Sequence, residues 1–364
     1  SACKPAPAGS FVSTAAAATA TPCVAGTFQN LTGQSICQAV PAGKYSAAVG
    51  AASVTVAIDC PSGRYNPLTG QTSPTACIPA SAGNFSLAGA SQQTPCVAGT
   101  FSATPGQSAC QPAPVGSFAG APGLSIATQC AIGRYADVTG LSACILASAG
   151  SYVSVAGAAS PTLCDAGTFQ ALTGQSACGT VPAGSFSNPG AAAATPCAVG
   201  SFSAVGGQSV CDAAPLGRFV GQTGRTFASD CTVGTYADVT GLSACKPAPA
   251  GSFVSETAAA TAAPCAAGTF QNLTGQSSCN AVPAGSFSGP GAAAASPCAA
   301  GTFSAAQGQS ACTNVPAGSF SGPGATSGTL CAPGSFSANA GQSACTLASP
   351  GSFVPGAGAT SQQS

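Results

Sequence analysis

Residues 23–37 read Cys-Val-Ala-Gly-Thr-Phe-Gln-Asn-Leu-Thr-Gly-Gln-Ser-Ile-Cys. Two cysteines stand fourteen positions apart, a Gly-x-Phe motif follows the first, and a Gly-x-Ser-x-Cys motif contains the second. The aromatic residue favours an extended strand. The central glycine favours a chain reversal, because glycine adopts positive φ without steric cost. The stretch therefore predicts a small β-hairpin that one disulfide could close.

The same frame recurs along the whole chain, with Tyr in place of Phe in some copies. We call each copy an A segment; between A segments lie B segments, which carry a second Gly-x-[Phe/Tyr] motif. One A and one B segment make a repeat of about 34 residues, and such periodicity predicts a tandem array of about ten repeats. The A segments are residues 23–37, 60–77, 96–110, 130–144, 164–178, 197–211, 231–245, 265–279, 298–312 and 331–345.

The cysteine spacing favours disulfides within A segments. The step within an A segment is 14 residues in nine of ten copies and 17 in the other, whereas the step across a B segment varies between 19, 20 and 23. A loop of about 15 residues closed in this way is stabilised by roughly 3 kcal/mol. The predicted pairs are Cys23–Cys37, Cys60–Cys77, Cys96–Cys110, Cys130–Cys144, Cys164–Cys178, Cys197–Cys211, Cys231–Cys245, Cys265–Cys279, Cys298–Cys312 and Cys331–Cys345.

This pairing leaves Cys3 without a partner. Residues 1–12 repeat unchanged as residues 243–254, so Cys3 corresponds to the closing cysteine of an A segment. We expect its partner to precede residue 1 in a longer protein, and the chain to begin and end inside repeats. The alternative is a free or intermolecular thiol at Cys3.

Composition narrows the class of protein. Of 364 residues only seven are basic and seven acidic, and there is no His, Met or Trp. A net charge of zero argues against nucleic acid or an anionic membrane as partner. The sequence contains no run of about 20 apolar residues, so no membrane insertion is predicted. The 21 cysteines indicate an oxidising, extracellular compartment.

Small side chains, many cysteines and a short sequence repeat predict an all-β, disulfide-rich fold. The chain has no large aliphatic clusters, so we expect an elongated rod of stacked short hairpins in place of one compact core. Alanine runs such as residues 15–18 are about one turn long, too short for a stable helix. Little or no helix is expected.

Catalytic and ligand-binding chemistry is poorly represented. There is no histidine for acid–base catalysis, the acidic residues are scattered, and the cysteine steps do not match zinc sites. We therefore predict no enzymatic activity, no catalytic or metal site and no cofactor. The charged residues are expected to form local ion pairs, with Arg134–Asp137 and Arg225–Asp230 as candidates.

Sugars could hydrate a surface with so few charges. Three N-glycosylation sequons begin at Asn30, Asn84 and Asn272, and the first and third fall at equivalent turns of A segments. Ser, Thr and Pro-rich stretches also suit O-linked sugars. We expect covalent glycans on this chain.

The pattern Cys-x-x-Gly-[Thr/Ser]-[Phe/Tyr] followed by Gly-x-Ser-x-Cys resembles the ephrin-receptor-like cysteine-rich repeat, over essentially the whole chain. The resemblance implies small disulfide-linked hairpin modules of extracellular proteins. That family has a further cysteine three residues after the closing one, and this chain has Ala or Val there. This chain also has Ala at most places where the family has the partner cysteine. Compared with the family, each repeat therefore lacks a second disulfide, and the stability of B segments is in doubt. The substituted positions are Ala6, Val40, Ala80, Ala113, Ala147, Val181, Ala214, Ala248, Val282, Val315 and Ala348, with partner positions Ala20, Ala57, Ala127, Ala194, Ala228, Ala262 and Ala295.

These features favour a structural subunit of an extracellular glycosylated fibre, filament or cell-surface stalk, whose partners are its own copies or other fibre and cell-surface proteins. The alternative is a ligand-binding or adhesive ectodomain of a large surface receptor. Residues 217–230 are the best candidate for that role, because they contain Arg218, Arg225 and Phe227, the one aromatic outside the Gly-x-aromatic motifs. An ice-binding face is a weaker third possibility, since threonine positions vary between repeats.

Overall fold

A computed structural model describes residues 3–364. This part of the chain consists of two-residue β-strands that pair two by two as antiparallel hairpins, with no α-helix. The all-β, hairpin-based fold expected from the sequence is thus confirmed. The strands are β1 Ser10–Phe11, β2 Thr21–Pro22, β3 Thr27–Phe28, β4 Gln38–Ala39, β5 Lys44–Tyr45, β6 Ile58–Asp59, β7 Arg64–Tyr65, β8 Ile78–Pro79, β9 Asn84–Phe85, β10 Thr94–Pro95, β11 Thr100–Phe101, β12 Gln111–Pro112, β13 Ser117–Phe118, β14 Thr128–Gln129, β15 Arg134–Tyr135, β16 Ile145–Leu146, β17 Ser151–Tyr152, β18 Thr162–Leu163, β19 Thr168–Phe169, β20 Gly179–Thr180, β21 Ser185–Phe186, β22 Thr195–Pro196, β23 Ser201–Phe202, β24 Asp212–Ala213, β25 Arg218–Phe219, β26 Ser229–Asp230, β27 Thr235–Tyr236, β28 Lys246–Pro247, β29 Ser252–Phe253, β30 Ala263–Pro264, β31 Thr269–Phe270, β32 Asn280–Ala281, β33 Ser286–Phe287, β34 Ser296–Pro297, β35 Thr302–Phe303, β36 Thr313–Asn314, β37 Ser319–Phe320, β38 Thr329–Leu330, β39 Ser335–Phe336 and β40 Thr346–Leu347.

Each hairpin begins at the Gly-x-aromatic motif. We call the glycine of that motif the strand glycine and the glycine at the tip of the hairpin the turn glycine. In the hairpin of residues 23–37 the strand glycine is Gly26 and the turn glycine is Gly33, with φ values of +82° and +72°. The aromatic Phe28 pairs with Gln38 across the hairpin. An A hairpin has its first strand in an A segment, and a B hairpin has its first strand in a B segment.

Two hairpins contain extra residues, and both take them up in a short 3₁₀-helix. Val54–Val56 lies in the B hairpin that follows Cys37, and Pro74–Ala76 lies in the A hairpin closed by Cys77. In each case the preceding serine caps the first turn, because its side chain accepts a hydrogen bond from a backbone N–H. The insertions therefore lengthen the loop and leave the strand pairing unchanged.

One buried position lies three residues before the strand glycine in every hairpin. It is a cysteine in A hairpins and an alanine or valine in B hairpins, so the two hairpin types differ mainly in whether this inner side chain bonds or only packs. The position is occupied in chain order by Ala6, Cys23, Val40, Cys60, Ala80, Cys96, Ala113, Cys130, Ala147, Cys164, Val181, Cys197, Ala214, Cys231, Ala248, Cys265, Val282, Cys298, Val315 and Cys331.

Backbone hydrogen bonds join a hairpin to the next one along the chain. The Gly26 N–H donates to the carbonyl of Ser46 at 2.8 Å, and the Gln29 N–H donates to the carbonyl of Ala51 at 3.0 Å. The same two bonds recur from hairpin to hairpin. A two-stranded hairpin alone is marginal in water, so these bonds and the burial that accompanies them stabilise the array.

Contacts also reach the second hairpin along the chain. The carbonyl oxygen of Gly70 lies against Gly26, where an ideal Cβ would overlap it. Gly43 and Gly89 make the same contact two hairpins apart. A hairpins therefore pack on A hairpins and B hairpins on B hairpins, each through a glycine that no other residue can replace without movement.

The chain divides into two compact units. One comprises the residues up to Gly179 together with Pro189–Ala193, and the other comprises Thr180–Asn188 together with Ala194–Ser364. Each unit has the same hairpin-on-hairpin packing. In the first, the strand glycine Gly99 contacts the Gly140 carbonyl, and in the second Gly268 contacts the Gly308 carbonyl.

Candidate functional site

Ten disulfides close the A hairpins, each within one A segment. They are the pairs that the cysteine spacing predicts, with nine separations of 14 residues and one of 17. The first cysteine of each pair is buried, and the closing cysteine is partly exposed except for Cys77. The bonds are Cys23–Cys37, Cys60–Cys77, Cys96–Cys110, Cys130–Cys144, Cys164–Cys178, Cys197–Cys211, Cys231–Cys245, Cys265–Cys279, Cys298–Cys312 and Cys331–Cys345.

The B hairpins keep the geometry of the A hairpins without the disulfide. Ala214 and Ala228 stand where an A hairpin has its two cysteines, and both are buried in one cluster with Val220. In another B hairpin Ala57 packs against the cluster that contains Val40. In these two B hairpins, small apolar contact therefore occupies the place that the disulfide has in an A hairpin.

Cys3 is an exposed free cysteine. The residues that precede it, Ser1 and Ala2, lie outside the described part of the chain.

Ion pairs form across hairpins, but not where the sequence suggested. Arg218 Nε lies 2.7 Å from Asp230 Oδ1, so Asp230 pairs with Arg218 and not with Arg225. The two residues face each other in the strand register. Lys44 and Asp59 form a similar pair at 2.5 Å in another B hairpin, again directly opposite each other. In each pair, the basic residue directly follows the strand glycine and the acidic residue is the last of the second strand. A basic and an acidic residue at these two places in the sequence could have identified both pairs.

The expected Arg134–Asp137 pair is also wrong. Arg134 Nη1 donates to the carbonyl of Cys144 at 3.4 Å, and among residues 3–364 Arg134 forms no ion pair. Arg64 occupies the same position in an earlier A hairpin and donates to the carbonyl of Cys77 at 2.7 Å. At this position a guanidinium therefore reaches the closing cysteine and not an acidic side chain.

One further ion pair joins Lys246 Nζ to Asp238 Oδ1 at 2.7 Å. The hydrogen bond from Lys246 holds the pKa of Asp238 below its ordinary value. The same bond raises the pKa of Lys246. Both side chains are solvent-exposed, and exposed pairs of this kind stabilise a fold only slightly.

Aliphatic side chains are exposed on the turns of the A hairpins. The fifth residue after the strand glycine is Leu or Val in seven of the ten A hairpins, but in only one B hairpin, at Val155. All seven side chains are exposed, Leu172 to 64%. This pattern was not among the features predicted from the sequence, although the recurring Leu or Val at a fixed place after the strand glycine is visible there. The seven are Leu31, Leu68, Val138, Leu172, Val205, Val239 and Leu273.

The three sequon asparagines occupy two kinds of place. Asn30 and Asn272 are exposed in equivalent A turns. Asn84 is half-buried on β9, where its Nδ2 donates to Ser81 Oγ at 3.0 Å. The hydroxyl of Ser86, the third sequon residue, is buried without a hydrogen-bond partner. The two turn sites therefore offer the asparagine amide more freely than β9 does.

A surface cleft opens beside the B hairpin of residues 217–230. It has a volume of about 310 Å³ and is lined by Phe219, Val220, Gly221, Gln222, Arg225, Phe227 and Ser229. The Arg225 guanidinium lies 4.6 Å from the centre of the Phe227 ring. The structure thus brings together Arg225 and Phe227, two of the residues that are irregular in the sequence. The third, Arg218, pairs instead with Asp230.

The chain matches no family model and no curated protein sequence. Within residues 3–364 no helix is long and apolar enough to cross a membrane. The same residues contain no cluster of three or more His, Cys, Asp or Glu side chains that could hold a metal ion. What defines the molecule is an array of disulfide-stapled hairpins.

Proposed function

We propose that the chain is a structural repeat array of an extracellular, glycosylated fibre, filament or cell-surface stalk. The observation that carries the proposal is the packing of like hairpins on like hairpins through the glycine contact. Such packing presents the same bonding groups after every repeat, so an array can lengthen by adding repeats. Ten disulfides and the resemblance to ephrin-receptor-like repeats support an oxidising, extracellular setting.

The exposed aliphatic residues of the A turns supply a means of association between copies. Exposed apolar side chains at the same place in most A turns offer a second copy a matching set of side chains. With seven charges of each sign, little long-range repulsion opposes contact. Glycans at Asn30 and Asn272 would cover the adjacent Leu31 and Leu273, leaving the A turns between them for contact.

The proposal includes no catalytic activity and no cofactor. The chain has no histidine, and three of its seven carboxylates form ordinary ion pairs, with Lys44, Arg218 and Lys246. An adhesive ectodomain remains the second candidate, favoured by the cleft at Arg225 and Phe227.

The test is self-association of the secreted chain, followed by sedimentation velocity and electron microscopy. We expect concentration-dependent assemblies whose spacing matches one or a few repeats. A variant with four A-turn residues changed to serine, Leu68, Val138, Leu172 and Val205, should stay monomeric. The matched control changes four exposed leucines at other positions to serine, namely Leu87, Leu163, Leu216 and Leu330.

The control variant should assemble like the unmodified chain. If the chain is monodisperse at every concentration, the fibre proposal fails. If both serine variants lose assembly equally, general surface hydrophobicity and not the A turns drives association. Intact mass measured before and after enzymatic deglycosylation tests the glycan part, which fails if the mass equals that of the polypeptide.

A further inference from the structure

The cleft at residues 217–230 has side chains that differ from those of other B hairpins, although the backbone of the hairpin is the same. The B hairpin of residues 116–129 is the best comparison. In both hairpins a glycine follows a buried residue, Gly120 after Ala119 and Gly221 after Val220. An ideal Cβ on either glycine would contact the ring of Phe118 or Phe219. The two hairpins therefore share a scaffold, and their side chains can be compared place by place.

Of the places that differ between the two hairpins, three that line the cleft exchange an apolar side chain for another chemistry. Where the first hairpin has Ala121, Leu124 and Ile126, the second has Gln222, Arg225 and Phe227. The exchange replaces three apolar side chains by an amide, a guanidinium and an aromatic ring on the same surface. Phe227 remains 55% exposed, so the ring adds little to folding and leaves an apolar surface open to solvent.

The charge of Arg225 is uncompensated. Arg218 is neutralised by Asp230 at 2.7 Å, whereas Arg225 forms no ion pair among the described residues. Its guanidinium stacks at 4.6 Å from the Phe227 ring centre, and Nη1 donates to Gln222 Oε1 at 3.4 Å. Stacking holds the planar group in one orientation and leaves its remaining N–H donors free.

We propose that this cleft binds an acidic saccharide. A guanidinium pairs with a carboxylate through two parallel hydrogen bonds. The Gln222 amide and the Ser229 hydroxyl can exchange hydrogen bonds with sugar hydroxyls, while Phe219 and Phe227 supply apolar surface for the C–H face of a sugar ring. The volume of about 310 Å³ is at the lower end of the range for small-ligand sites, which fits one or two sugar residues. The site does not depend on fibre formation.

The test is calorimetric titration of the full chain, at physiological salt, with a trigalacturonate. The methyl-esterified trisaccharide has the same ring surface without the charge, and we expect it to bind at least tenfold more weakly. The triple variant Gln222→Ala, Arg225→Leu and Phe227→Ile copies side chains that the chain already uses at residues 121, 124 and 126. It should fold normally, as judged by its ten disulfides and circular dichroism, and lose the binding.

The converse graft tests sufficiency. Introducing Ala121→Gln, Leu124→Arg and Ile126→Phe should create a second site and raise the stoichiometry from one to two. Absence of binding by the unmodified chain, equal binding of the methyl ester, or retained binding by the triple variant would each overturn the proposal. Equal binding of a triglutamate peptide would show that the site takes acidic peptides in place of saccharides. Failure of the fibre proposal is read out separately, by sedimentation of the chain without ligand.

Discussion

Changing Ala214 and Ala228 to cysteine should add one disulfide to the ten that the chain has. The two residues are 14 positions apart and stand three residues before and eleven residues after the strand glycine Gly217. Cys331 and Cys345 have the same relation to Gly334 and are bonded. Ala214 also makes the backbone bond typical of its position, its N–H donating to the Gly200 carbonyl at 2.8 Å. The site therefore has the residue spacing, the burial and the backbone hydrogen bond of an A hairpin, without the two sulfur atoms.

The expected stabilisation follows from the loop that the bond would close. A closed loop of about 15 residues loses enough entropy in the unfolded chain to stabilise the hairpin by roughly 3 kcal/mol. Since about 1.4 kcal/mol corresponds to a tenfold change, amides between residues 214 and 228 should exchange with solvent about 100-fold more slowly. The gain is local, because each hairpin contacts only its near neighbours.

Hydrogen exchange with peptide mass spectrometry measures this change, and the reduced double variant is the baseline. The matched control is Ala213→Cys with Ala228→Cys. Ala213 is exposed on β24, and a shift of one residue places the new side chain on the opposite face of the strand. We expect no bond in the control. Two free thiols in the Ala214/Ala228 variant, or an oxidised variant with unchanged exchange, would refute the equivalence of A and B hairpins.

Three other perturbations follow from single features. Gly301→Ala should cost about 1–3 kcal/mol more than Gly334→Ala in denaturant unfolding, because both have φ of +85° but only Gly301 lies against a stacked carbonyl; equal costs would mean that the stacking contact contributes nothing. Ala258→Gly should stabilise the array by about 0.5–1 kcal/mol in the same assay, since Ala258 holds a turn-glycine position at φ +57°; a destabilised variant would contradict that reasoning. Stability should fall only slightly as pH drops below about 4, because Asp238 has a lowered pKa and the contribution of its bond to Lys246 is lost when the carboxyl protonates. The raised pKa of Lys246 keeps the same bond until strongly alkaline pH, and Lys246→Gln should remove both effects from unfolding midpoints recorded across the pH range.

The disulfides and the hairpins could be predicted from the sequence because both are local. The 14-residue step and the Gly-x-aromatic motif lie within one hairpin, so the spacing alone specifies them. The turn near Thr32 and Gly33 is likewise confirmed, with Gly33 at φ +72°. The equivalence of B hairpins to A hairpins was harder to predict. Alanine and valine do not by themselves indicate a contact pair, and their role shows only when their positions are aligned with the cysteines of the A segments.

Interactions between hairpins could not be read from the sequence. The contact of Gly26 with the Gly70 carbonyl joins residues two hairpins apart, and only the packed backbone brings them together. The ion pairs depend on strand register, which is why Asp230 was assigned to Arg225 when it faces Arg218. The cleft was marked only as an irregularity at Phe227, and its geometry depends on Arg225 folding over that ring.

Peptide mapping of the oxidised protein tests the central claim most directly. Each disulfide should close one A hairpin and none should cross a B segment, because the B hairpins contain no disulfide of their own. Proteolysis without reduction, followed by mass spectrometry, should recover pairs such as Cys23–Cys37 and Cys60–Cys77. Recovery of Cys37–Cys60, or of any other pair that spans a B segment, would contradict this claim.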